Sequence, residues 1–358
     1  MSPTSACVVK PPYMLAAEAL RKNKGQWQTY ESRGNCVILA GPGSGKTKTL
    51  TIKMARMLTE DVMAPRGIAC ITYNNQCARE LKRRLAALGV EDGKRAAIGT
   101  LHSFCLQHIV LPYARLAGIA VPEPLKVAMV EERDRCWAVA VEKVKGAGEP
   151  PSNWIFTCDV YRRTHLDRQK EDWYGDFEDV AKMIEIYEQT LLEKGLVDFD
   201  GMVLIALRLV EEHEWVRRAL RAQFPILVVD EYQDLGHALH RIVLCLCYKA
   251  SMRLVAVGDP DQSIYGFIGA EPALLQDLAN SKGIEPIQLK LNYRCGPTII
   301  RASEVALGEQ RGFEPGTVEA GTVDIHIGPK DSTTRLPSSV IRLSLPRWSV
   351  LRKDSSGT

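Results

Sequence analysis

Ala40–Lys48 reads AGPGSGKTK; the short apolar run Cys36–Ala40 (CVILA) leads into it, and apolar residues at helical spacing follow from Thr47 to Leu58. Strand, tight loop and helix is the reading of that order. Gly41, Gly43 and Gly45 let the backbone wrap so that several N–H groups point inward, and a helix N-terminus adds partial positive charge. Ala40, Gly41, Pro42, Gly43, Ser44 and Gly45 are therefore expected to cradle phosphate. Lys46 would reach the β- and γ-phosphates, Thr47 would ligate magnesium, and Lys48 completes the nucleotide-facing run. Ala40 stands where the strict pattern has glycine, which removes nothing the cradle needs. The alternative is a glycine-rich turn of no function, and the flanking strand and helix argue against it.

The chain of 358 residues should hold about two domains at ~150 residues each. Hydrophobic residues at 46% and charged residues at 25% are ordinary for a globular protein and argue against extensive disorder. Up to Leu20 no apolar stretch is long enough for a signal peptide, because Glu18 interrupts the one candidate, and no run approaches ~18 apolar residues. Ten cysteines without regular spacing suit buried thiols in a reducing compartment. A cytoplasmic location without membrane attachment is expected. A net charge of +3 is too small to argue for nucleic acid, so local patterning must carry that.

Further along, residues 68–73 (IACITY) form a second strand-like run, and Gln76–Leu88 is amphipathic, with Arg79, Lys82, Arg83 and Arg84 on its polar face. A solvated helix face is the favoured reading of those charges, ahead of nucleic acid. Between 106 and 195 strand signals almost vanish and long helical patterns appear, so a mostly helical insertion is expected. Its Trp154, Tyr161, Trp173 and Tyr174 suit either base stacking or core packing. The α/β signal returns at Pro225–Asp230 (PILVVD), which opens DEYQD. Carboxylates at the end of a parallel strand fall at the edge where open sheets bind ligands. Asp230 would hold magnesium, and Glu231 could accept a proton from an attacking water. His237, His240, Cys245 and Cys247 lack zinc spacing, and a buried helix explains them better. Arg253–Ala270 (RLVAVGDPDQSIYGFIGA) and Ile287–Cys295 (IQLKLNYRC) are further strand-led segments.

AGPGSGKT, ITYNNQCARELKRRL, GTLHSFC, VVDEYQD, VGDPDQSIYGFIGA and LNYRC, in this order from residue 40 to 295, resemble the motifs of UvrD/Rep/PcrA-type superfamily 1 DNA helicases. The resemblance implies an α/β fold: a RecA-like P-loop NTPase domain with a parallel sheet over residues 1–105 and 196–285. It also implies a helical insertion over 106–195 and an incomplete second RecA-like domain starting at 286–330; residues 331–358 resemble nothing in the family and read as an atypical tail, open to disorder. ATP and Mg2+ are the implied cofactors and single-stranded DNA, or a single-strand/duplex junction, the partner. The implied activity is 3′-to-5′ translocation and unwinding, as in DNA repair, with nucleoid association in a bacterium. Gln26 matches the glutamine that reads adenine, Gln262 the one that couples the γ-phosphate to the DNA groove, Tyr293 the tyrosine that stacks on adenine and Arg294 the arginine that stabilises the transferring phosphoryl group. For DNA the matching positions are Tyr73, Asn75, Thr100, His102, Tyr265 and Phe267.

The chain also departs from the family pattern. Asn74, Gln76 and Cys77 replace a TFTNKAA-like run, Ile268 replaces an arginine, Lys48 a common arginine, and Leu235 and Gly236 follow DEYQD in place of Thr and Asn or Ser. These changes bear on DNA affinity more than on ATP chemistry. The late motifs of the second motor domain are not found, and the run from Asp331 has no clear period. A truncated or frameshifted product, or a short protein, is the corresponding expectation. The competing functional reading is an ATP- and DNA-binding module without motor activity.

Overall fold

The computed structural model describes residues 10–72, 74–90, 95–169, 173–175, 177–263, 270–308, 310–316, 319, 321–327 and 339–344, with backbone alone at 307, 323–327 and 339–344. Two compact units are present: residues up to Leu39 with Thr47–Ile287, and Ala40–Lys46 with the residues from Gln288 onward.

The larger unit opens with helices α1 (Pro12–Glu18) and α2 (Lys24–Glu31), strand β1 (Cys36–Ala40) and helix α3 (Lys46–Arg56). Asn23 caps α2 by accepting the Gln26 N–H at 3.1 Å, which satisfies one of the helix's unpaired first-turn donors. Strand β2 (Ile68–Thr72) leads into α4 (Asn75–Ala87), capped in the same way by Asn74 on the Cys77 N–H. Strand β3 (Ala96–Thr100) then runs into the short helices α5 (Leu101–Phe104) and α6 (Leu111–Tyr113). After a helical region come β6 (Ile226–Val229), α12 (His237–Leu244), β7 (Arg253–Gly258), α13 (Ala273–Ala279) and β8 (Glu285–Leu289). The elements between, β4 (Lys126–Val127), α7 (Val130–Lys145), α8 (Ser152–Thr164), α9 (Glu178–Glu193), β5 (Leu196–Val197), α10 (Phe199–Glu212) and α11 (Glu214–Gln223), make up that helical region.

The strand order of the central sheet is β3-β2-β6-β7-β1-β8. β2 pairs in parallel with β3 and β6, and β7 pairs in parallel with β6 and β1. Every residue of β2 and β6 is buried, as expected for strands covered on both faces, and this is why IACIT and ILVV read as unbroken apolar runs. β3 was not legible in the same way. It is an edge strand, four of its five residues are only half-buried, and Ala-Ala-Ile-Gly-Thr has little of the β-branched and aromatic content that marks strands.

Two buried cations fix α3 against α2. Lys53 donates to the carbonyls of Thr29 and Ser32, both at 2.7 Å, and Arg56 donates to those of Tyr30 and Ser32. Those carbonyls end α2 or follow it, where a helix leaves acceptors unpaired and the dipole favours positive charge. Burial pulls the Lys53 ammonium down to about 8, against a smaller opposing pull from Cys36.

The helical region has its own core of Ala128, Cys136, Trp137, Ala140, Val141, Cys158, Val180, Ala181, Ile184, Tyr187 and neighbours, with the Trp137 and Tyr187 rings stacked 3.8 Å apart. Phe104, Cys105, Ile109, Val110 and Ala114 belong instead to the core of the sheet, so the separate core starts at Ala128, beyond residue 106. Of the four aromatics that suited either role, Tyr161 and Trp173 are buried. Trp154 is part-buried beneath Lys145 and donates to Glu149, and Tyr174 is exposed and donates to Glu185.

The smaller unit contains β9 (Leu291–Asn292) paired in parallel with β10 (Glu314–Pro315), helix α14 (Pro297–Leu307), and the antiparallel strands β11 (Thr322–Ile327) and β12 (Ser339–Ser344). Gly308 ends α14 with φ +70°, a left-handed conformation that glycine adopts without steric cost. β12 lies within the run after Asp331, where the sequence shows no clear period. It pairs with β11, Thr322 opposite Ser344. Among the described residues no helix is long and apolar enough to cross a membrane.

Asp198 ties the separate helical core to α10, whose Val203, Ala206 and Leu207 pack in the core of the sheet. It caps α10 through the Gly201 N–H and accepts from the Tyr187 hydroxyl. It also forms a two-pronged pair with Arg162, at 2.6 and 3.0 Å, and both partners are 1% exposed. Burial alone would raise the Asp198 carboxyl, but the Arg162 guanidinium outweighs it and the group is held down at about 2. A carboxyl depressed by folding stabilises above its unfolded value, ~3.9, and that stability is lost as pH falls toward 2. Chemical unfolding of Asp198→Ala should show a loss of about 3–5 kcal/mol at neutral pH, because a buried arginine loses its counter-charge. Below pH 3 the gap to the unmutated protein should narrow.

Candidate nucleotide site

β1, β6 and β7 run parallel, and their register places Leu39 opposite Gly258 and Val229 opposite Ala256. Their C-terminal ends therefore share one edge of the sheet. From Leu39 the chain passes into the glycine-rich loop, from Val229 into Asp230 and Glu231, and from Gly258 into Asp259.

The loop belongs to the smaller unit and is tightly built there. Gly43 and Gly45 have φ of +70° and +81°. Ser44 closes the turn on Gly41, its hydroxyl donating to the Gly41 carbonyl at 2.7 Å. The Tyr293 N–H donates to the Gly43 carbonyl at 2.9 Å. Asn292 Oδ1 accepts the N–H groups of Arg294 and Cys295, both at 2.9 Å, and so shapes the turn that presents Tyr293 and Arg294. A Cβ on Gly43 would lie 2.5 Å from Asn292 Oδ1 and 2.6 Å from Arg294 Cβ, so only glycine permits this approach. On Gly41 a Cβ would strike the Phe313 ring at 2.1 Å. Gly41, Gly43, Gly45, Tyr293 and Arg294 are thus brought into one structure, with the Tyr293 and Arg294 side chains exposed. Pro42 and Lys46 are half-buried, and Ala40 is buried.

In the larger unit Thr47 and Lys48 lie in the first turn of α3. Gln26 is 3% exposed on α2, more enclosed than a side chain presented at an open surface. Asp230 is 7% exposed, and its N–H donates to the Ile71 carbonyl at 2.9 Å, continuing the β2–β6 ladder by one residue. Glu231 adopts φ +53°, ψ +49°, the left-handed region, at a cost of roughly 1–2 kcal/mol for a residue with a Cβ. Its N–H is held by Asp230 Oδ1 at 3.1 Å. Such strain persists only where the surroundings over-determine it, and it clusters at functional sites. Buried Tyr232 next door supplies part of that restraint, its hydroxyl lying 2.8 Å from His240 Nδ1.

Gln262 ends a single 3-10 turn (Pro260–Gln262) and donates to Asp259 Oδ2. Two residues to which the sequence assigned no role, Gln233 and Asp259, connect this turn with Glu231. Gln233 is 2% exposed; its Nε2 donates to Glu231 Oε2 at 2.8 Å, and its Oε1 accepts the Asp259 N–H at 3.0 Å. Both sit inside quoted motifs, but the pairing joins residues 26 positions apart and no local pattern announces it.

Among the residues matched to DNA contacts, Tyr73, Tyr265 and Phe267 lie outside the described residues, as does Ile268. Asn75 is exposed at the first position of α4. The Thr100 hydroxyl caps α5 by accepting the Ser103 N–H at 3.3 Å. His102 packs edge-on to Phe199 with centroids 5.3 Å apart, and burial lowers its imidazole below the usual range. On α4, Arg83 and Arg84 both pair with Glu80. His237 faces Glu271, His240 faces Tyr232, and Cys245 and Cys247 are buried, so these four residues serve separate contacts as a helix should.

Residues 22–282 match the family model described as the UvrD/REP helicase N-terminal domain. The chain is 29% identical over 306 residues to the ATP-dependent DNA helicase Rep of Escherichia coli (strain K12), covering 80% of this chain and 43% of that protein. It is 27% identical over 305 residues to the putative ATP-dependent DNA helicase YjcD of Bacillus subtilis (strain 168), covering 83% and 39%. To the ATP-dependent DNA helicase PcrA of Staphylococcus aureus (strain Mu50 / ATCC 700699) it is 29% identical over 296 residues, covering 79% and 39%. The chain therefore spans about two fifths of the length of these relatives. With a parallel sheet that delivers a glycine-rich loop and an Asp-Glu pair from its strand ends, and a family match over most of its length, the chain belongs to the UvrD/REP helicase family.

Proposed function

We propose that the chain is the ATP-hydrolysing, DNA-stimulated motor portion of a helicase that moves 3′ to 5′ on single-stranded DNA. The observation that carries the reading is the common sheet edge from which β1 leads into AGPGSGKT and β6 into Asp230–Glu231. In this reading residues 1–105 with 196–285 are the first motor domain, 106–195 its helical insertion, 286–330 the start of a second motor domain and 331–358 a tail. The protein works in the cytoplasm, nucleoid-associated if bacterial, on a single strand or a single-strand/duplex junction.

The loop N–H groups and Lys46 hold the triphosphate, Gln26 reads the adenine edge and Tyr293 stacks on the base. A water attacks the γ-phosphorus, Glu231 accepts its proton, and ADP leaves. Arg294 offsets charge on the transferring group, while Gln262 relates the γ-phosphate to the DNA groove. Among the described residues no three His, Cys, Asp or Glu side chains converge into a preformed metal cage. A small hard cation takes oxygen donors, and the Thr47 hydroxyl in the first turn of α3 and the Asp230 carboxylate at the end of β6 are of that kind. Thr47 and Asp230 would hold such a magnesium ion, which supplies neutralisation of phosphate charge. Tyr73, Asn75, Thr100, His102, Tyr265 and Phe267 are the residues assigned to the DNA strand, and aromatic rings stack on bases without reading sequence.

ATP turnover by the purified chain should rise on adding single-stranded DNA, and Lys46→Ala should lose at least about 10²-fold of it. Hydrolysis at the Lys46→Ala level overturns the enzyme reading, and nucleotide binding without turnover selects the non-motor module. Single-strand binding should weaken steeply with salt, with a log-log slope of about −0.7 per neutralised phosphate. Phe267→Ala should cost a further ~1–3 kcal/mol of stacking. Binding indifferent to both salt and Phe267→Ala contradicts the DNA assignment.

A further inference from the structure

We infer that Gln233 is a positioning residue that locks the Glu231 carboxylate to the Gln262 turn, so that the orientation of the proton acceptor depends on where Gln262 sits. The inference rests on the proposed ATP hydrolysis for its consequence and on the larger unit alone for its geometry.

A buried glutamine amide can be placed either way round, and its neighbours decide which. Here one neighbour is the Asp259 peptide N–H, which can only donate, and the other is the Glu231 carboxylate, which when ionised can only accept. Only one orientation satisfies both: Oε1 toward Asp259 and the NH2 group toward Glu231. The amide is therefore fixed at both ends, and at 2% exposure no solvent competes for it. Asp259 extends the chain. Its Oδ1 accepts the Asp261 N–H at 3.2 Å and its Oδ2 accepts Gln262 Nε2 at 2.5 Å, so Glu231, Gln233, Asp259 and Gln262 form an unbroken series across the ends of β6 and β7.

The backbone makes room for this arrangement. A Cβ on Gly258 would stand 2.7 Å from Gln233 Oε1, so glycine at the end of β7 is needed for the amide to reach the Asp259 N–H. The left-handed backbone of Glu231 turns its side chain back over the 3-10 turn that carries Gln233. A strained backbone and a two-sided amide clamp restrain the same carboxylate. Displacement of residues 260–262 would therefore be transmitted to Glu231 through three hydrogen bonds, two of which are made by the buried Gln233 amide.

Two measurements on the full chain test the inference. The first needs no turnover: with 15N-labelled glutamine, Gln233→Leu should shift the Gln262 side-chain amide resonances and Gln262→Leu should shift those of Gln233. Unmoved resonances in both directions overturn the coupling, and the reciprocal pair keeps the test valid if one variant fails to fold. The second reads function. Gln233→Leu should lower kcat for ATP by about 10²-fold, the scale of a misplaced reacting group, with KM little changed. Gln233→Glu, which can still accept the Asp259 N–H but no longer donates to Glu231, should lower kcat in the same way. A merely structural role would lower the melting temperature of both variants and leave kcat of the folded fraction unchanged, which overturns the inference. If the unmutated chain hydrolyses no ATP, the proposed function fails, and the resonance shifts still decide whether the coupling exists.

Discussion

Parallel pairing is the constraint on which the larger unit depends. Because β1, β2, β6 and β7 point the same way, each strand exit lies on one edge, and residues distant in sequence are brought there by register alone. The cost is that parallel strands need crossovers, and their faces must be covered. The unbroken burial of β2 and β6 shows that cover. Asp230 extends the β2–β6 ladder through the Ile71 carbonyl, so the acidic pair starts from a rigid platform. One residue later the backbone turns left-handed and rigidity passes from the ladder to side chains: Asp230 on the Glu231 N–H, Gln233 on its carboxylate, and Tyr232 against His240.

Much of this was legible in the sequence because it is local. CVILA before GPGSGKT, and ILVV before DEYQD, carry strand, loop and carboxylate within a dozen residues. The helix at 237–244 and its buried cysteines were legible for the same reason. β3 was not, since an edge strand of Ala, Ala, Ile, Gly and Thr is stabilised by its neighbour and not by its own propensity. Gln233, Asp259 and Asn292 were missed because their roles are pairings across the fold. An amide 26 residues from its backbone donor leaves no periodic signal. Lys53 and Arg56 carried no reading from the sequence; both are buried, because the carbonyls at the end of α2 need donors.

The helical region shows how an added body is joined to an α/β layer. Its apolar core is separate, and the join is ionic: Arg162 and Asp198 are fully buried, with Glu188, Arg168, Arg133 and Asp159 around them. Such a pair is weak as a source of stability relative to an apolar substitute, but it admits one geometry only. Asp198 also caps α10, so the orientation of that helix, and with it Phe199 against His102, follows from the same carboxylate.

A structure of the chain with magnesium and a non-hydrolysable ATP analogue tests the central claim most directly. The account predicts the triphosphate wrapped by the N–H groups of residues 41–46, the metal on Thr47 and Asp230, and the Glu231 carboxylate, still bonded to Gln233, facing the γ-phosphate. A triphosphate bound away from that loop, or a metal on neither residue, would contradict it.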